Sequence, residues 1–294
     1  MSEYLVPKGQ PFTALCQLGA RGPYSGRVDL HVHTTHSDGV YTPAQVVDLA
    51  RRSGLAALAI TDHDTLGGVP PAREAAVGSE VEIVSGVEIT TEYRQRELHL
   101  LGYFVAVDHV GLTVALADIR RHRVERFREM IERLRGRGVS LEGAEQRVQG
   151  SPDALGRRHL AEILVRARRV ATVREAFQRY LGDRGGVAVP KKRLAVAEAL
   201  TLVSEAGGVA AWAHPSYDCT REQLAELRAL GLGAIEVEYP NLRRSRTLEL
   251  RDWAARVDLA ITGGSDCHGP GRRCVGSCTI SAAEFAQLRH MVSR

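Results

Sequence analysis

Residues 27–54 read RVDLHVHTTHSDGVYTPAQVVDLARRSG, and the change of character half-way along this stretch decides how the rest of the chain is read. Arg27 to His33, with Val28, Leu30 and Val32 at alternate positions, reads as a short buried strand. From Thr42 the pattern turns helical, with Thr42 as N-cap, Pro43 in the first turn and Gly54 just past the end. A strand leading straight into a helix is the opening unit of an α/β fold, and the same alternation recurs along the chain. Further strand patterns lie at 56–63 (AALAITDH), 81–90 (VEIVSGVEIT), 97–105 (ELHLLGYFV), 209–214 (VAAWAH), 234–239 (AIEVEY) and 259–266 (LAITGGSD), most of them separated by helical patterns. Between about Asp108 and Gly182 no strand pattern occurs and arginine-rich helical segments take over. The expected architecture is therefore an irregular parallel α/β barrel of seven strands, residues 1–105 and 188–294, interrupted by a helical insertion at 106–187.

Composition agrees with a globular chain. At 294 residues and 44% hydrophobic content it can bury a large core, as one barrel-sized domain or two smaller ones. A formal charge of +4 is too mild for a general nucleic-acid coat and leaves a local anionic ligand open. No apolar run reaches the roughly 18 residues of a membrane span, and the first residues lack a basic start followed by an apolar core. The expectation is a cytoplasmic protein with no membrane and no obligate protein partner. Five cysteines at irregular spacing read as reduced thiols, and Cys274 with Cys278 are too few for a zinc knot.

The chemistry concentrates at strand ends. His31 and His33 are two apart, so a pleated strand turns both imidazoles to one side, and Asp266 and His268 form a second such pair near the other end of the chain. Barrel closure sets the first and last strands side by side, so the two pairs can meet at its mouth. His63, Glu88, His214 and Asp266 stand at the C-terminal ends of four different strand patterns, where barrel enzymes collect reactive groups. A lone histidine on an apolar strand is an ordinary hydrogen-bonded core residue, but burying this many ionisable groups together without a metal would cost several kcal/mol each. Mixed imidazole and carboxylate donors suit zinc, manganese or iron rather than magnesium or calcium.

The motifs HVHTTHSDG, ITDHDT, SGVEIT, HLLGYF, GRRH, AGGVAAWAHP and GGSDCHG, in that order between about Val28 and Gly269, resemble the PHP (polymerase and histidinol phosphatase) phosphoesterases. More narrowly, they are similar to the stand-alone branch holding 3′,5′-nucleoside bisphosphate phosphatases and 5′-to-3′ exonucleases of short RNA. The resemblance implies a distorted (β/α)7 barrel carrying two to three divalent transition-metal ions (Mn, Zn or Fe). It assigns His31, His33, Glu88 and Asp266 to a first ion, Glu88, His99 and His159 to a second, and Asp38, His63 and His268 to a third. Asp62 and Asp64, flanking His63, are candidates to fix a histidine tautomer.

The implied activity is hydrolysis of a phosphate monoester by metal-activated water. A small phosphorylated substrate is expected, with a nucleoside 3′,5′-bisphosphate first and short 5′-phosphorylated RNA as the alternative. His214 is the candidate general acid or phosphate donor. Arg157, two residues before His159, is the candidate phosphate fork, facing the site if GRRH is extended. Lys191, Lys192, Arg272 and Arg273 are further candidates. An amidohydrolase shares the H-x-H opening but lacks the SDG, TDHDT and SDCH arrangement, and a non-catalytic metal-binding PHP module would be expected to have lost ligands. One departure stands out: IEVEYPNLRRSR replaces the His-Pro and further histidine that relatives tend to carry, so Glu238, Tyr239, Arg243 and Arg244 enter a loop expected to border the pocket.

Overall fold

The computed structural model describes residues 26–141, 154–182 and 185–292. Cys16 and parts of both expected segments lie outside them. The seven long strands are β1 (Arg27–Val32), β2 (Ala57–Ile60), β3 (Glu82–Tyr93), β4 (Arg96–Tyr103), β6 (Val209–Trp212), β7 (Ala234–Glu238) and β8 (Ala260–Gly263), with two-residue strands β5 (Leu194–Ala195) and β9 (Ile280–Ser281). Around the barrel run α1 (Pro43–Arg52), α2 (Val69–Ala75), α6 (Val196–Glu205), α7 (Arg221–Ala229), α8 (Arg244–Arg256) and α9 (Ala282–His290). Between β4 and β5 lie α3 (Val110–Arg135), α4 (Arg157–Arg166) and α5 (Val173–Ala176), the last running into a π turn at Phe177–Leu181.

The order along the sheet is β8-β7-β6-β4-β3-β2-β1-β9, with β5 added beside β3. Beyond the strand ends Val32 bridges Cys267, and His33 N–H donates to the Cys267 carbonyl at 3.0 Å, so the first and last long strands meet and the barrel is nearly closed. One strand departs from the parallel expectation. β4 runs antiparallel to both β3 and β6, because Arg94 and Gln95, at φ 51° and 63°, form a two-residue hairpin turn that leaves no room for a crossover. A strand buried on both faces reads the same in either direction, so its apolar pattern carries no sign of this reversal.

Thr42 caps α1 in a reciprocal capping box with Gln45. Leu58 and Ile60 pack in the cluster containing Val46, Val47 and Ala50 of α1, whereas Ala57 and Ala59 join Val28, Leu30 and Tyr103 on the other side of the sheet. The long helix α3 belongs to two cores. Leu112, Leu116 and Ile119 pack with the barrel, while Phe127, Met130, Ile131 and Leu134 pack with Leu155, Leu160, Leu164 and Leu181 of the inserted helices. The described cysteines Cys219, Cys267, Cys274 and Cys278 form no disulfide. No helix among the described residues is long and apolar enough to cross a membrane.

Candidate metal centre

β1 presents His31, and the residue just past the strand is His33, both fully buried at the mouth of the barrel. The turn after β1 brings Asp38, the loop after β2 His63, mid-β3 Glu88, β4 His99, the loop after β6 His214, and the loop after β8 Asp266 and His268. Glu88 thus projects from the interior of a long strand rather than from its end, because β3 continues past the parallel barrel into the hairpin with β4. His214 (φ 30°), Asp266 (φ 49°) and Asp64 (φ 51°), all at or beside the cluster, take left-handed backbone, which is uncommon outside glycine.

Glu88 is the centre of the cluster. Its Oε1 stands 2.8 Å from both His99 Nδ1 and His214 Nε2, and its Oε2 stands 3.0 Å from His63 Nδ1, 3.3 Å from His33 Nε2 and 3.5 Å from His31 Nε2. Asp266 Oδ1 lies 3.3 Å from His33 Nε2, 3.5 Å from His31 Nε2 and 3.4 Å from His268 Nδ1. Asp38 Oδ1 lies 3.1 Å from His268 Nε2 and 3.8 Å from His63 Nε2. Four overlapping donor groups result: His31, His33 and Asp266; His31, Glu88 and His214; His63, Glu88 and His99; and His33, Asp38, His63 and His268, each with its donor atoms within 4.8 Å of one another.

The polar inventory fits divalent ions. His31 Nε2, His33 Nε2, His63 Nδ1 and Asp38 Oδ1 are buried with no hydrogen bond, a cost of about 1–3 kcal/mol each that coordination would remove. Burial opposes charge on His33, but Asp266 and Glu88 outweigh it and push its pKa up to about 10; against the same burial, Glu88 and Glu97 bring His99 up to about 9. Burial also opposes ionisation of Glu88, yet the imidazoles of His63, His99 and His31 hold it well below the usual carboxylate range. The carboxylates therefore call for positive charge at this point in the fold, and a mixed His and carboxylate set matches a transition metal.

Several site residues stand differently from the sequence reading. His159 is buried in the first turn of α4, where its Nδ1 accepts from Gly156 N–H at 3.0 Å, and it is in none of the four groups. His214, expected as general acid or phosphate donor, turns its Nε2 to within 2.8 Å of Glu88 Oε1 and stands in one of the four donor groups. GRRH is not extended: α4 begins at Arg157, which donates to the Leu181 carbonyl at 3.1 Å and covers the Phe177 ring, so the condition under which Arg157 is expected to face the site beside His159 is not met. Lys191 Nζ sits 2.5 Å from Glu97 Oε1, whose carboxylate also lies 3.0 Å from His99 Nε2. Lys192 pairs with Asp118, and Arg272 is exposed. It is Arg273 that pairs with Asp266 Oδ2 and covers the Tyr239 ring. In the departing loop Glu238 turns to Arg251 at 2.7 Å, Arg243 and Arg244 start α8 exposed, and Tyr239 alone faces the cluster, donating to Asp266 Oδ2 at 3.1 Å.

The carboxylate that sequence reasoning missed is Glu236. Fully buried on β7, it holds the His31 imidazole at Nδ1, 2.9 Å from Oε1, and accepts the backbone N–H of His214 at 2.6 Å through Oε2, so it orients one donor imidazole and fixes the backbone that carries another. Its only signal in the sequence is a charged residue inside an otherwise apolar strand pattern. Asp62 and Asp64 do not touch the donor imidazoles by hydrogen bond: Asp62 accepts from Thr34 and Ser37, and Asp64 from Thr90 and Arg123. Partners that orient metal-binding imidazoles are worth roughly 10–100-fold in affinity, so Glu236→Gln is expected to weaken zinc or manganese binding by about that factor in a titration. Unchanged affinity would show that something else orients His31.

A nearly closed barrel with a His, Asp and Glu cluster at its mouth is the architecture of a metal-dependent hydrolase. The family model of the PHP domain matches residues 29–182. The chain is 32% identical over 251 residues to the 5′-3′ exoribonuclease of Haemophilus influenzae, covering 83% of this chain and 90% of that protein. It is also 32% identical over 251 residues to the 3′,5′-nucleoside bisphosphate phosphatase of Chromobacterium violaceum, covering 83% and 88%. The crystal structure of a protein from Bifidobacterium adolescentis, described as a candidate metal-dependent phosphoesterase, superposes with a TM-score of 0.83 at 29% identity over 93% of this chain and 100% of that one. The chain belongs to the PHP family, and it is a metal-dependent phosphoesterase.

Proposed function

We propose that the protein hydrolyses the 3′-phosphate of a nucleoside 3′,5′-bisphosphate, leaving the 5′-monophosphate and inorganic phosphate. The single observation that carries the mechanism is the overlap of four donor groups through Glu88, His31, His33 and His63, which supports two to three ions close enough to act on one phosphate. In this reading His31, His33, Glu88 and Asp266 serve one ion, Glu88, His99 and His214 a second, and Asp38, His63 and His268 a third. When bound, divalent ions supply Lewis acidity, lowering the pKa of water and offsetting the charge of the phosphate. The protein's own residues do the positioning. Glu236 and Glu97 fix which imidazole nitrogen of His31 and His99 faces the centre, and Tyr239 with Arg273 holds the outer oxygen of Asp266. No side-chain nucleophile is required. This reading gives the substrate's phosphates to Arg157, which would exchange its contact with the Leu181 carbonyl for phosphate, and to Lys191, which stands beside Glu97.

Similarity to the bisphosphate phosphatase supports this substrate, and so does the placement of the aromatic residues. Phe127 is buried in the core of the inserted helices, and Phe177 and Tyr180 pack against that same core, which leaves few platforms on which the bases of an oligonucleotide could stack. Trimming of short 5′-phosphorylated RNA is the second reading, supported by similarity to the H. influenzae protein named a 5′-3′ exoribonuclease. The test is phosphate release by the manganese-loaded protein from adenosine 3′,5′-bisphosphate, a 5′-phosphorylated RNA trimer and glucose 6-phosphate, side by side. Preferential turnover of the bisphosphate is expected. Shortening of the trimer at a higher kcat/KM would favour the exonuclease, and silence on both nucleotides would reject the nucleotide reading.

A further inference from the structure

Arg123 sits in the middle of α3 with its guanidinium turned towards the barrel and only 12% of its side chain exposed. Nε donates to Asp64 Oδ2 at 2.7 Å, Nη2 to Thr90 Oγ1 at 2.9 Å and Nη1 to the Leu155 carbonyl at 3.3 Å. One turn earlier, Arg120 Nη1 donates to the backbone carbonyl of Asp64 at 2.9 Å. Asp64 is fully buried, follows His63 directly, and donates its own N–H to the Glu88 carbonyl at 2.9 Å. Thr90 follows Glu88 by two residues on β3 and donates both its N–H and its hydroxyl to Asp64, at 2.7 and 3.0 Å. A single guanidinium therefore ties together the loop that carries His63, the strand that carries Glu88 and the chain just ahead of α4. The neighbouring Ala154 N–H adds a contact at 3.3 Å to the carbonyl of His36, in the turn that carries Asp38.

The planar fork of arginine suits this role because it satisfies a carboxylate, a hydroxyl and a carbonyl at fixed angles, which a lysine ammonium on a flexible stem does not. The inserted helices have their own apolar core, so their approach to the metal cluster depends on polar links such as this one and the Ala154–His36 contact. We propose that Arg123 is a positioning residue. It fixes the distance between the metal cluster and the first turn of α4, where Arg157 and His159 lie, and thereby sets the preference for a substrate with a second phosphate beyond the one cleaved. The substrate half of this inference rests on the reading of Arg157 given under the proposed function; the linkage half does not.

Two variants and two readouts test it. Hydrogen–deuterium exchange on the purified protein without added metal is expected to rise in Arg123→Gln at residues 62–66 and 155–160 together, and less in Arg123→Lys. A rise at 155–160 alone, or at neither segment, overturns the linkage. With manganese loaded, Arg123→Gln is expected to raise KM for adenosine 3′,5′-bisphosphate about tenfold with kcat held within about threefold, because a misplaced remote contact acts on binding geometry. KM for p-nitrophenyl phosphate and the metal content should stay within about twofold of wild type, and Arg123→Lys should recover part of the bisphosphate KM. Equal losses on both substrates, or a parallel loss of metal, would reduce Arg123 to a structural residue and overturn the inference. If the wild-type protein itself shows no preference for the bisphosphate over p-nitrophenyl phosphate, the substrate reading fails, while the exchange result still decides the linkage.

Discussion

Asp266→Asn is expected to lower turnover by about a thousandfold, a loss of several kcal/mol of transition-state stabilisation, and to reduce bound metal while the protein stays folded. The two oxygens of Asp266 do different work. Oδ1 faces His31, His33 and His268 at 3.3–3.5 Å, and Oδ2 is held by Tyr239 and Arg273. Asparagine keeps the shape, removes the charge and turns one acceptor into a donor. With its NH2 outward it opposes the Arg273 guanidinium and the Tyr239 hydroxyl; with its NH2 inward it opposes an ion. Either way a buried donor is left facing a donor or a cation. Phosphate release, metal content by atomic emission and circular dichroism measured on one preparation check the three parts of this expectation. Full activity with full metal content would sink the assignment of Asp266.

Glu88→Gln is expected to be at least as severe and to differ in stoichiometry. Five imidazoles approach its two oxygens within 3.5 Å, and it belongs to two donor groups where Asp266 belongs to one. A glutamine amide there can accept through one oxygen only, so both groups lose a charged donor together. The group of His33, Asp38, His63 and His268 contains neither residue and is expected to retain about one ion per chain in both variants, since each donor set binds by its own ligands. Metal content lower in Glu88→Gln than in Asp266→Asn, with that residual ion in both, is the expected pattern. Equal metal content in the two variants would contradict a bridging role for Glu88.

Much of this centre is visible in the chain itself. His31 and His33 are two apart on a short apolar strand, and a pleat must turn them to one side; both donate into the cluster. Asp38, His63, Glu88, His99, Asp266 and His268 also come together, each from a motif that could be quoted before any coordinates. The exceptions share a cause. His159 and His214 both sit in short polar motifs, and nothing local says which one reaches Glu88; the answer depends on β4 running antiparallel between β3 and β6, which brings His99 and the end of β6 to the same carboxylate. Glu236 was silent because a single acid in an apolar run gives no hint of the two partners that share it, His31 on the opposite end of the chain and the backbone of His214.

Periodicity and local chemistry carried the alternating α/β architecture, the helical interruption after β4, the pairing of His31 with His33 and a donor set able to hold metal. The direction of β4, the approach of His214 rather than His159 to Glu88, the pairing of Arg273 with Asp266, the helical rather than extended course of Arg157 to His159, and the contacts of Arg123 with Asp64, Thr90 and Leu155 came from the tertiary structure. Each of these depends on which residues distant in sequence become neighbours when the barrel closes. That closure follows from burial of the whole sheet, a cooperative property that no short window of residues contains.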